Sequence, residues 1–276
     1  MSLDPRITPA RGDIAAAHLR GQVEAKHFVE GETKIVAVGR AALRAGPATN
    51  AGMASELLFG ERVTVYERRD GWAWVQAVRD KYMGYVREDA MDDLFEATHR
   101  VIAPMTPMLP APDVKRPVND ILPMNARVQI LSHEGRFARV APRGFVFEGH
   151  LASVNTKQSD WVAVAERFIG APYIWGGKTM AGLDCSGLVQ TALEAADIEC
   201  PRDSDMQQSL GASIPQTDLQ RGDLIFWNGH VGIMRDATTL LHANAFFMEV
   251  TSEPLAEAAA RIAKSASAIV TVKRLQ

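Results

Sequence analysis

The chain has 276 residues, 47% of them hydrophobic and 23% charged, with 30 Lys and Arg against 33 Asp and Glu and a formal charge of -3. That balance belongs to a globular protein of two domains, or of one with small appendages, and excludes a disordered or fibrous chain. It offers no basic field for nucleic acid or an anionic membrane, because phosphate binding needs clustered cations.

In residues 1–30 the segment MSLDPRITPARGDIAAAHLRG sets Asp4, Pro5 and Pro9 where a secretory signal needs an unbroken apolar run. Nowhere do the roughly eighteen apolar residues of a membrane span follow one another. A cytoplasmic protein without membrane or nucleic-acid partners is expected. These thirty residues read as an arm lying across the body, with AAAHLRGQVEA as its only plausible helix.

From 31 to 95 short β-like runs alternate with turn residues, as in a small barrel. Val63 and Val65, then Trp72 and Trp74, alternate about the Arg69-Asp70-Gly71 turn, which describes a hairpin with one buried face. A weaker copy occupies 96–153, where ARVQILSHEGRFARVAPRGFVFEGHLA repeats the order of hairpin, turn and short strand. Between the copies, APMTPMLPAPDVKRP is expected to be an extended loop without strand, since Pro removes ladder donors.

A third region, 154–276, opens with helical periodicity. WVAVAERFIGAP reads as a helix ended by Gly170 and Pro172. CSGLVQTALEAADI reads as an amphipathic helix with Leu188, Val189, Ala192, Leu193 and Ala196 on one face. DLIFW, HVGIM, TLLHANA, MEVTS and AIVTVKRL follow as short strands, so the order is that of an α+β domain.

Chemistry concentrates at PYIWGGKTMAGLDCSGLVQ, where a Gly-rich loop runs through Asp184-Cys185-Ser186-Gly187 into that helix. A cysteine at a helix N-terminus meets unpaired N–H groups and the positive end of the macrodipole, which favour the thiolate and could hold an oxyanion. His230 in GDLIFWNGHVGIM, flanked by Gly229 and Gly232, is a candidate base on a strand. His242 in LLHANA is expected on the neighbouring strand, fixing the His230 tautomer from behind. His18, His27, His99, His133 and His150 read as surface or satisfied core residues. The chain's other cysteine, Cys200, precedes Pro201 at a helix end without a Gly-rich approach and reads as structural. Two cysteines are too few for a disulfide framework or a Cys-rich zinc site, and His230, His242 and Asp184 lack metal-ligand spacing. No metal and no cofactor are expected.

PYIWGG, DCSG, PRDSDMQ, LQRGDLIFW, HVGI and LLHA, in that order over about residues 158–250, resemble the NlpC family of cysteine peptidases, papain-like enzymes that cut peptidoglycan stem peptides. SELLFGERVTVYERRDGWAWVQ and YMGYV resemble bacterial SH3-like domains, and the second copy does so in outline. The resemblance implies a papain-like domain after two small SH3-like β-barrels, with Cys185 as nucleophile, His230 as base and His242 as the polar third residue. Two such barrels before an NlpC domain are similar to the YkfC-type dipeptidyl peptidases. Those enzymes cut the γ-D-glutamyl bond to a diamino acid in murein peptides with a free N-terminal L-Ala. A free α-amine is cationic and needs a carboxylate. The resemblance places Asp184, Tyr173, Glu56 and Tyr82 at that amine, Ser186, next to the nucleophile, among the substrate-binding residues, and Asp203 and Ser204 at the γ-linked D-Glu. Arg202 and Gln207 would support the latter loop. An endopeptidase of intact peptidoglycan and a non-catalytic muropeptide-binding module are the rival expectations.

Overall fold

The computed structural model describes residues 3–275 and divides into two units, Met1–Thr156 and Lys157–Gln276. The first unit holds a seven-stranded sheet and, after it, sheets of three and five strands. In the seven-stranded sheet Arg62–Arg69 and Trp72–Ala77 form a hairpin in which Arg69 pairs with Trp72. The turn residues Asp70 and Gly71 have φ of 52° and 76°, the left-handed pair that a two-residue hairpin requires and that Asp-Gly supplies readily.

The first strand of this hairpin alternates as expected, but the second is buried on both faces. Trp72, Ala73, Trp74 and Val75 are all buried: the register sets Val65 opposite Val75, so the valines and the two tryptophans lie on opposite faces, and the N-terminal arm covers the tryptophan face. Ile14 packs on Trp74 and Met83, the Met83 N–H donates to the Arg6 carbonyl at 2.7 Å, and the Gln76 amide donates to the Ile7 carbonyl at 2.9 Å. Arg11 lies 4.5 Å over the Trp74 ring and donates to Glu67 at 2.7 Å. The arm is also not helical. Ile14–Ala16 is a strand paired in parallel with His27–Val29, and only Ala17–Leu19 makes a 3-10 turn. Burial of Ile14, Ala15 and Ala16 outweighs the modest helix preference of an Ala-rich run.

In the second barrel the Pro-rich stretch corrects another expectation, because Met105–Leu109 is a strand inside the five-stranded sheet. Pro107 is tolerated there because it is paired with Ile121 on one side only. The partner strand on the other side, Phe145–Phe147, begins pairing at Met108. The core of this barrel is Val101, Met108, Leu122, Val128, Val140 and Val146, and Phe59 from the first barrel plugs into it. Around that plug the Arg127 N–H donates to the Phe59 carbonyl at 2.8 Å and the Gly39 N–H to Asp120 Oδ2 at 2.7 Å.

The second unit begins with α1, Trp161–Glu166, capped by the Asp160 carboxylate, which accepts from the Ala163 N–H at 2.9 Å. A small ribbon, Lys178–Thr179 with Gly182–Leu183, leads into α2, Cys185–Ala195, and then into a short α3, Ser204–Gln207. A six-stranded sheet follows in the spatial order Ala212–Ser213, Thr271–Arg274, Leu224–Trp227, His230–Met234, Thr239–Asn244 and Glu249–Pro254. Between the last two in chain order lies α4, Leu255–Ser265, which the strand-by-strand reading passed over. Helix α2 is buried all round, whereas the periodicity described an amphipathic helix. Every residue from Cys185 to Ala195 is covered, α2 lying against α1 and the strands of His230 and His242. Among the described residues no helix is long and apolar enough to cross a membrane.

Replacing Phe59 by Ala is expected to cost about 3–5 kcal/mol, the usual loss for emptying a buried aromatic site. Urea unfolding followed by tryptophan fluorescence checks it. A loss under about 1 kcal/mol would show that the plug is not what joins the barrels' stability.

Candidate active site

The first turn of α2 is organised by Asp184. Its Oδ1 accepts from the Gly187 N–H at 2.7 Å, which makes it the N-cap, and from the Ser186 hydroxyl at 3.3 Å. Its Oδ2 accepts from the Gly176 N–H at 2.8 Å, tying the Gly-rich loop to the helix. Arg202 grips both oxygens, NH1 at 3.0 Å and NH2 at 2.7 Å, and also donates to the Ser186 hydroxyl at 2.9 Å. Gly187 must lack a side chain, because a Cβ there would stand 2.1 Å from the Gly177 carbonyl. Cys185 is thereby held where the N–H groups of Ser186 and Val231 face its sulfur.

Val231 follows His230, so the cysteine lies beside the start of the His230 strand. His230 Nε2 and His242 Nδ1 are 2.8 Å apart, and His242 Nε2 is 2.8 Å from Glu253 Oε1. Arg261, from α4, donates to both Glu253 oxygens, NH1 reaching Oε2 at 2.8 Å. Its guanidinium stacks 4.4 Å from the ring of Phe246. Tyr173 is half-buried in the same region, within the electrostatic reach of Cys185 and Asp184.

Residues 170–263 match the NlpC/P60 family, and residues 43–91 match the bacterial dipeptidyl-peptidase Sh3 domain. The chain carries an NlpC/P60 domain preceded by a bacterial dipeptidyl-peptidase SH3 domain. It is 27% identical over 206 residues to a γ-D-glutamyl-L-lysine dipeptidyl-peptidase of Bacillus cereus, covering 65% of this chain and 61% of that protein, less than two thirds of its length. A protein of the same name from Bacillus subtilis is 26% identical over 237 residues, covering 72% of this chain and 75% of that one. The crystal structure of an NlpC/P60 family protein from Bacillus cereus superposes with a TM-score of 0.73 at 21% identity, covering 88% of this chain and 99% of that one, so the fold is shared.

The NlpC/P60 domain brings together Cys185, His230, His242, Asp184, Ser186 and Tyr173 from the residues singled out in the sequence. Asp184 enters as a carboxylate whose charge Arg202 already matches, and the Ser186 hydroxyl is engaged by the same Arg202. Asp203 is the N-cap residue of α3, and Ser204 is its first residue. Gln207 on α3 donates to the Ser186 carbonyl at 3.0 Å and to the Pro201 carbonyl at 2.9 Å, which anchors that loop to α2. In the first barrel, Glu56 is buried on the strand Met53–Leu58 and paired with Arg40 at 2.6 Å. Tyr82 is buried there too, before the strand Met83–Arg87. The Cys200 thiol is buried and donates to the Pro201 carbonyl at 3.4 Å. Among the described residues no group of three His, Cys, Asp or Glu side chains is placed to hold a metal ion.

Glu253 and Arg261 are the members that sequence reasoning missed. A trace of Glu253 existed. It lies two residues from Thr251, the register partner of His242, and so on the face of the hairpin that His242 occupies. Nothing pointed to Arg261, which depends on where α4 folds.

Burial, reinforced by the charge of Asp184, pushes the Cys185 thiol up to about 12, and the N–H groups of Ser186 and Val231 do not offset it. Burial and the neighbouring His242 push His230 down to about 3. Near neutral pH the resting pair is therefore a thiol and a neutral imidazole, not the thiolate that the helix N-terminus alone would favour. With the Cys185 pKa raised, thiolate accumulates only as pH climbs toward that value. Iodoacetamide labelling of Cys185 in a Cys200→Ala background, read by mass spectrometry, is thus expected to quicken about tenfold per pH unit from roughly pH 7 to 10. A rate already level across that range would reveal a thiolate formed at lower pH.

Proposed function

We propose that this protein hydrolyses the γ-D-glutamyl to diamino acid bond of murein peptides with a free N-terminal L-Ala, through a covalent intermediate on Cys185. The observation that carries the reading is the His230–His242 pair, in hydrogen-bond contact at 2.8 Å beside the strand edge that meets the cysteine. The names borne by the two Bacillus relatives supply the substrate class, with L-lysine as the diamino acid to test first.

The chemistry follows from two neutral partners. As the Cys185 sulfur attacks the γ-carbonyl carbon, its proton passes to His230, so no free thiolate has to accumulate in a buried site. Charge builds on the carbonyl oxygen, where the N–H groups at the start of α2 can receive it. Collapse of the tetrahedral species breaks the C–N bond, and His230 gives its proton to the departing amine. A water molecule then attacks the thioester carbonyl, His230 taking its proton and returning one to sulfur as the acid leaves. Asp184 and Arg202 hold the turn that carries the sulfur throughout.

Incubation with L-Ala-γ-D-Glu-L-Lys is expected to release L-lysine, and N-acetylation of the alanine is expected to suppress it. Equal cleavage of both peptides would favour an endopeptidase, and no cleavage of either would overturn the proposal. Cys185→Ala is expected to lower turnover by about three orders of magnitude or more while the thermal midpoint holds. Cys200→Ala should retain turnover, and loss of activity there instead would mean that the nucleophile is misassigned.

A further inference from the structure

We infer that Glu253, clamped by Arg261, is a positioning residue that fixes the tautomers of both histidines and so leaves Nδ1 of His230 bare to take the Cys185 proton. The role given to His230 rests on the hydrolase reading above, but the tautomers themselves do not.

The assignment follows from counting protons along one chain of contacts. Glu253 Oε1 accepts from Arg261, and a carboxylate can only accept, so the 2.8 Å contact with His242 requires that His242 Nε2 carry the hydrogen. Burial keeps His242 neutral, so it has one N–H and its Nδ1 is a lone pair. The 2.8 Å contact between His242 Nδ1 and His230 Nε2 can then be a hydrogen bond only if His230 Nε2 donates. A neutral His230 has no second hydrogen, and its Nδ1 is left as an acceptor. Each step leaves one choice, and the first is made by Glu253.

Arg261 is what keeps Glu253 an acceptor. Burial alone would raise the Glu253 pKa, but the hydrogen bonds from Arg261 and His242 outweigh it and hold the carboxyl below the usual range. A protonated Glu253 could donate to His242 Nε2, which would reverse every bond in the chain. Arg261 is itself fixed from the outside. The rings of Phe246 and Phe247, 4.8 Å apart and edge to face at the exposed tip of the hairpin, lie 4.4 and 5.3 Å from its guanidinium. The chain therefore runs from a surface loop to the proposed base without a gap.

The test uses the full-length protein labelled with 15N, its imidazole nitrogens observed at pH 7 and assigned with His230→Asn and His242→Asn. Both histidines are expected as the Nε2–H tautomer. Glu253→Gln preserves shape but brings an amide that can also donate, and His242 is expected to become a mixture of tautomers. The same variant should lower kcat for the tripeptide by about tenfold to a hundredfold with KM within about twofold, as orienting partners of a functional histidine do. Wild-type His230 found as the Nδ1–H tautomer, or His242 found doubly protonated, would overturn the inference. So would a Glu253→Gln protein of lowered thermal midpoint whose tautomers are unchanged, since that is what a merely structural residue gives. If the wild type cleaves no peptide, the hydrolase reading fails while the spectra still decide the tautomers.

Discussion

A carboxylate enclosed at the start of a buried helix must find its counter-charge inside the protein, and Asp184 finds it in Arg202. Both oxygens are gripped by one planar guanidinium, a geometry that point-like Lys could not reproduce. The pair joins three successive segments: the Gly176–Gly177 loop, the first turn of α2, and the loop that leads to α3. Removing one member would leave the other charge buried and unmatched, which typically costs about 3–5 kcal/mol. The position of the Cys185 sulfur is a consequence of this pair, because the residue on either side of the cysteine is bound to Arg202.

The same enclosure sets the ionisation of the site. A cysteine at an exposed helix start would be pulled toward thiolate by the unpaired N–H groups, whereas here burial and the adjacent Asp184 push it the other way. His230 is pushed down by the same burial. A neutral pair stores no charge in the resting protein, and the proposed reaction defers the separation of charge to the moment when attack creates an oxyanion nearby. Orientation then matters more than acidity. A neutral imidazole accepts a proton only through its bare nitrogen, so in the proposed reaction the tautomer inferred for His230 becomes a condition for turnover.

The legibility of this molecule in its sequence divides along physical lines. The DCSG turn, the HVGI strand and the LLHA strand are short local patterns, so the helix start expected at Cys185 and the neighbouring strands expected for His230 and His242 are the elements the structure has. What escaped depended on contacts between distant segments. Trp72 and Trp74 suggested a half-exposed hairpin because alternation cannot register an arm, here Ile14 with Arg6 and Ile7, laid over the second face. Pro107 argued against a strand, yet a strand forms because its partner on one side starts a residue later. Helix α2 showed one apolar face, but Gln190, Thr191 and Glu194 are buried with the rest. Arg261 was invisible because no local pattern reports which buried acid a helix will meet.

One element explains why the two sides of the site keep their spacing. The hairpin of Thr239–Asn244 and Glu249–Pro254 carries His242 and Glu253, and its tip supplies the two rings that hold Arg261. Its second strand also takes the backbone of the segment before the Gly-rich loop. Gly170 donates to the Val250 carbonyl at 2.9 Å, Val250 to the Ala171 carbonyl at 2.8 Å, and Tyr173 to the Met248 carbonyl at 2.9 Å. Tyr173 in turn bridges to Leu183, one residue before Asp184. A shift of this hairpin would move the histidine chain and the approach to Cys185 together, so their separation is set by one set of ladder bonds and not by two independent loops. This coupling lets a site assembled from the start of a helix and a pair of strands hold the close tolerances that proton transfer between neutral groups demands.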